Sequence, residues 1–90
     1  HIEQLSSSTW AIIGNVELYD IEQALNVDIG LEEVDTFTGL VFAQLDMVPN
    51  DGAQNIELDF KGLHIHISQI EEHQIVYATV SKSGMAETDA

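Results

Sequence analysis

After residue 52 the apolar residues of this chain change their spacing, and that change limits what the chain can fold into. Ile56, Leu58 and Phe60 alternate with Asn55, Glu57 and Asp59, and Leu63, Ile65 and Ile67 alternate with His64, His66 and Ser68. Residues two apart share one face of a strand, so both runs predict strands with one buried and one wet face. Lys61-Gly62 reads as the turn between them, Glu71-Glu72-His73 as the next turn, and residues 75–80 as a final β-rich strand. Three consecutive strands joined by tight turns make an antiparallel meander whose apolar face needs a cover.

The first half of the chain supplies that cover at a different period. Leu18, Ile21, Ala24 and Leu25 fall at helical spacing, and Asn26 is a suitable stop. A second helix is expected from Asp35-Thr36, either of which can cap its first turn, with Phe37, Leu40, Val41 and Leu45 as the apolar set. A strand over residues 40–43 is the competing reading. Gly39 inside this segment costs about 1 kcal/mol relative to alanine, which suggests close packing of helix against sheet. Ahead of the helices, Ser6-Ser7-Ser8 is a turn and residues 10–13 a strand ending at Gly14-Asn15, so a hairpin across the serines is expected. Pro49-Asn50-Asp51-Gly52 is the strongest turn signal and fixes the reversal into the meander. The expected architecture is α+β, with two helices packed on a small antiparallel sheet. Ninety residues make one domain, expected over 1–82, with 83–90 as a disordered tail; residues 27–34 form a connector without clear periodicity.

Charge narrows the function. Two lysines, Lys61 and Lys82, and no arginine stand against 16 acidic residues, a net charge of −14. Nucleic acid is excluded as a partner, because that binding needs basic side chains to displace counterions. An anionic membrane surface is disfavoured for the same reason, and no apolar run is long enough for direct membrane insertion. Without arginine, pyrophosphate ligands lack their usual clamp. The charge suits solubility, accumulation of cations, or a basic partner, and an acidic protein capping a basic partner would lose affinity with salt. There are no cysteines, which removes disulfides, thiolate metal sites and thiol nucleophiles. The sequence begins with His1, as expected of a piece of a longer polypeptide.

Little in the chain points to catalysis. Ser6 to Ser8 lack a nucleophile elbow, and no glycine-rich phosphate loop occurs. The candidate metal ligands are His64 and His66, two apart on one strand face, with Glu57 or Asp59 as a third donor. The alternative is a solvent-facing pair opposite buried Leu63, Ile65 and Ile67. The acidic clusters Glu32-Glu33-Asp35 and Glu71-Glu72 attract hard cations but lack the ligand spacing of a calcium loop, and Asp51-Gly52 resembles part of one only superficially. No enzymatic activity and no resident cofactor are expected, and a divalent cation stays open as a ligand.

The run Asp35-Thr36-Phe37-Thr38-Gly39-Leu40-Val41, then Leu45, then Pro49-Asn50-Asp51-Gly52, resembles the transporter-associated domain of the CorC/HlyC type. Residues 10–14 look like that family's entry strand, 18–25 like its first helix, and 62–80 like its terminal strand pair. The resemblance covers residues 2–81 and implies an accessory domain. Such domains follow membrane or CBS-domain regions at the C-terminus of bacterial magnesium/cobalt efflux and hemolysin-like proteins, on the cytoplasmic face of the inner membrane. It implies regulation of ion transport, with the CBS and membrane domains of the parent chain, or a second copy in a homodimer, as partners. The fold it implies is similar to a subdomain of FAD-binding enzymes, although FAD itself is disfavoured here. Where the family often has an arginine after Gly14 and a basic pair before Ile75, this chain has Asn15 and His73-Gln74. The structural motif positions are Asp35, Thr36, Gly39, Pro49 and Gly52. A ligand-sensing module for a divalent cation or an adenine nucleotide is the alternative function.

Overall fold

The structure, a computed structural model, describes residues 1–30 and 33–82. The expected tail over 83–90 and part of the connector, including Glu32, lie outside the described residues. The elements run β1 (Ile2–Gln4), β2 (Thr9–Ile13), α1 (Leu18–Leu25), α2 (Phe37–Leu45), β3 (Gly52–Phe60), β4 (Leu63–Glu71) and β5 (Gln74–Lys82). All five strands form one antiparallel sheet in the order β1-β2-β5-β4-β3. The N-terminal hairpin therefore joins the meander, with Trp10 opposite Val80 and Ile12 opposite Ala78.

Both helices cover one face of the sheet. Trp10, Ile12, Leu63, Ile65, Ile67, Ile70, Ile75, Ala78 and Val80 are buried with Leu18, Ile21 and Leu25 of α1 and Phe37, Leu40 and Val41 of α2. Each aliphatic side chain taken fully from water contributes about 1.5–3 kcal/mol, so this layer is the main source of stability. Ala24, expected on the buried face of α1, is exposed, because the helical turn sets it to one side of the stripe that Leu18, Ile21 and Leu25 define. The strand alternative for residues 40–43 is overturned: Thr36 accepts the Gly39 N–H at 3.1 Å and commits the segment to helix.

The α1 start is held differently. Glu17 occupies the cap position with no side-chain cap bond. Instead the Leu18 N–H donates to the Asp35 carbonyl at 2.8 Å, and the Phe37 N–H donates to the Val16 carbonyl at 2.9 Å. A one-pair antiparallel bridge between Glu17 and Thr36 thus ties the two helix starts together and satisfies donors that helices leave orphaned. The far end of α1 closes on Asn26 in the left-handed region, φ 57°.

Both chain reversals in the meander are two-residue loops. Lys61 and Gly62 have φ 49° and 82°, and Glu72 and His73 have φ 54° and 61°. Two successive positive φ values give a type I′ turn, whose twist matches that of the strands. Glu71 is the last residue of β4 rather than part of the turn. Asp51 offsets the unfavourable residue choice at Glu72-His73: its carboxylate accepts the Glu72 N–H at 2.8 Å and the His73 N–H at 2.9 Å. Gly52 enters β3 at φ +116°, a conformation side chains rarely adopt. Register shifts around Ser68 and Val76 break the period-two pattern, and the Ile75 N–H turns to the buried Thr38 hydroxyl at 3.1 Å.

Candidate functional site

The sheet face away from the helices carries the polar half of the strand alternation. In register, Asp59 stands opposite His64 and Glu57 opposite His66, with His64 and His66 beside Ser81 and Thr79 of β5. Three of the four candidate ligands converge. The His64 Nδ1 lies 2.8 Å from Asp59 Oδ1 and its Nε2 lies 3.0 Å from Glu57 Oε1. Glu57 thus reaches diagonally past its register partner. His66 goes elsewhere, with Nε2 at 2.7 Å from the side-chain oxygen of Asn55.

The hydrogen bond to Asp59 raises the His64 pKa above the ordinary 6.5; desolvation opposes it, and the charge of Asp59 with the hydrogen bond and charge of Glu57 add to the rise. With a carboxylate at each nitrogen, His64 is suited to hold a proton rather than to offer a lone pair. The side chains are exposed, so solvent screens these contacts and they contribute little to global stability. Among the described residues no group of three or more His, Asp or Glu side chains is arranged to hold a metal ion.

Of the motif positions, Asp35 accepts the Leu18 N–H on its carbonyl and lines one of the clefts at the helix starts. Thr36 caps α2, Pro49 is buried, and Gly52 makes the entry to β3. Gly39 departs from expectation. A Cβ there would meet the Thr36 hydroxyl at 3.3 Å and Val34 at 3.4 Å, so the close neighbours belong to its own cap and connector, not to the sheet.

Two open clefts flank the helix starts. One, of about 350 Å³, is lined by Glu17, Tyr19, Glu22, Ile29, Val34 and Asp35 among others; the second, of about 410 Å³, by His1, Asn15, Val16, Glu17 and Asp20. Sequence reading did not find them, since they depend on how the helix starts meet. Glu22 is already committed, accepting the Ile29 N–H at 2.8 Å. Both lysines are committed too. Lys61 donates to the Ile29 carbonyl at 2.7 Å, and Lys82 to the Leu25 carbonyl at 2.9 Å, where a cation suits the C-terminal end of α1.

Comparison with known proteins identifies the family. The profile of the transporter-associated domain, CorC_HlyC, matches residues 3–84. The chain belongs to that family. A UPF0053 protein of Haemophilus influenzae is 32% identical over 79 residues, 88% of this chain. The chain spans 18% of that curated relative's length. Among solved structures, the CorC-associated region of a protein named for Mg2+ and Co2+ transport from Neisseria meningitidis MC58 superposes with a TM-score of 0.75. It is 23% identical, and the match covers 90% of this chain and 96% of that one. The transporter-associated domain of a CBS domain protein from Porphyromonas gingivalis gives 0.72 at 19% identity, covering 89% and 94%. A CorC_HlyC domain from a Xylella fastidiosa hemolysin, in complex with Mg2+ and Mn2+, gives 0.70 at 15% identity, covering 90% and 95%. At these identities the three structures establish the fold, two helices on a five-stranded antiparallel sheet. CorC_HlyC domains are typically non-catalytic, and no helix among the described residues is long and apolar enough to cross a membrane.

Proposed function

We propose that residues 1–82 of this CorC_HlyC domain form a non-catalytic regulatory module of a longer cation transporter of the CBS-domain type. The module stands at the cytoplasmic face of the inner membrane and modulates transport through contacts with the CBS and membrane portions of its parent chain. Family membership over 3–84 carries this reading, together with a relative in which such a chain accounts for 18% of the length. The neighbour from a CBS domain protein and the neighbour named for Mg2+ and Co2+ transport support the class of parent and of ion.

A cation-sensing role is the second reading, favoured by the Xylella fastidiosa domain bound to Mg2+ and Mn2+. In this chain the donors would come from His64, His66, Glu57 and Asp59, with His66 released from Asn55. An adenine nucleotide such as FAD fits less well, because no arginine exists to clamp a pyrophosphate. Calorimetric titration separates the two. The docking reading expects saturable heat when the CBS portion of the parent protein is added, and none with Mg2+, Co2+ or FAD. Saturable cation binding that disappears in His64→Ala would replace it with the sensor.

A further inference from the structure

The two edges of the sheet differ. β1 offers three residues, and the His1 carbonyl before it is turned inward, accepting the Ile13 N–H of β2 at 2.8 Å. β3 offers nine residues, and among the described residues β4 is its only partner strand. A bulge between Ala53 and Ile56 leaves a regular stretch over 56–60.

Hydrogen-bond alternation assigns the backbone of that stretch. Phe60 and Leu63 flank a two-residue loop, so they form a hydrogen-bonded pair, as do Leu58 with Ile65 and Ile56 with Ile67. The intervening Glu57 and Asp59 direct N–H and C=O away from β4, and no backbone partner meets them among the described residues. Side chains alternate in step. Ile56, Leu58 and Phe60 are half-buried and end the apolar layer without a neighbour strand, while Glu57 and Asp59 place carboxylates on the other face.

We propose that the outer edge of β3 takes up an extended segment in which basic and apolar side chains alternate. Residues directly opposite across two strands point to the same face. A strand laid on this edge therefore sets basic side chains beside Glu57 and Asp59 and apolar ones beside Ile56, Leu58 and Phe60. The main-chain groups of Glu57 and Asp59 supply the ladder, and the alternation supplies the selectivity. Charge complementarity argues for this occupant. His64 offsets only one of the two carboxylates beside it, and both lysines of the chain are spent on its own carbonyls. A second copy is a poor occupant, because pairing β3 with itself sets Glu57 and Asp59 against the same carboxylates. This surface is independent of whether the domain regulates transport.

The test titrates a short peptide of alternating lysine and valine into the 90-residue chain, read by amide NMR and amide exchange. The expected result is shifts along 55–60, slowed exchange of the Glu57 and Asp59 amides, and affinity about tenfold or more above a peptide with the same residues in two blocks. The Glu57→Lys/Asp59→Lys variant, checked for folding by circular dichroism, loses the alternating lysine peptide and gains its glutamate counterpart. Glu57→Pro removes one outward N–H without touching the β4 ladder and weakens binding more than Glu57→Gln, which loses the same charge but keeps the N–H. Equal affinity for the block peptide, binding without protection of these amides, or no binding overturns the proposal. So does a dimer of the chain alone that already protects them.

Discussion

Asp51 holds the Glu72-His73 turn from a distance of 21 and 22 residues, and both turn residues lie in the left-handed region without being glycine. Left-handed backbone costs a side-chain-bearing residue roughly 1–2 kcal/mol, so replacing Glu72-His73 by Asn-Gly raises stability by about 1 kcal/mol in urea unfolding. The two backbone donors pull the Asp51 pKa below its ordinary 3.8. A depressed carboxyl stabilises the fold above its unfolded value and loses that contribution as pH falls through the folded value. Thermal melts taken downward from pH 5 therefore show a steeper loss for the native chain than for Asp51→Asn. His64 runs the other way, its contribution present below 6.5 and lost as pH rises through its raised folded value. In an NMR titration the His64 ring changes charge above 6.5, and Asp59→Asn brings the midpoint down. Alternation placed His64, Glu57 and Asp59 on one face from the sequence. It did not reveal that His66 goes to Asn55, because which diagonal neighbour a side chain reaches depends on the register and on the reach of each side chain.

At the scale of elements, caps and periods were legible where a local rule governs them. Thr36, Asn26 and the two-residue turn at Lys61-Gly62 each act through residues within a few positions. Thr36→Ala costs about 1 kcal/mol, measured as a shift in the denaturation midpoint at constant slope. The contacts that were not legible join distant segments. The bridge that ties the two helix starts stands where Glu17 lacks a cap, and the placement of β2 beside β5 depends on pairing across most of the chain. The register shifts near Ser68 and Val76 make Thr38 necessary, since its hydroxyl receives the Ile75 N–H inside the core. Thr38→Val keeps the shape and leaves that donor unpaired, costing about 1–3 kcal/mol and loosening α2 against β5.

For the whole molecule, charge outweighs any single site. A net charge of −14 over 90 residues repels itself, so salt that screens beyond about 10 Å stabilises the fold. The melting temperature rises between low and moderate salt, whereas a protein relying on ion pairs would lose stability. Family and fold were legible together because the motif from Asp35 to Gly52 fixes a cap, a helix and the entry to β3 in one stretch. The central claim, that this CorC_HlyC domain regulates a cation transporter without catalysis of its own, is tested most directly by ion flux. Mg2+ and Co2+ movement would be followed in vesicles carrying the full-length parent protein with and without residues 1–82. The account predicts that the truncated protein still transports but with an altered rate or ion dependence, restored when the domain is returned. Identical flux from both forms would contradict it.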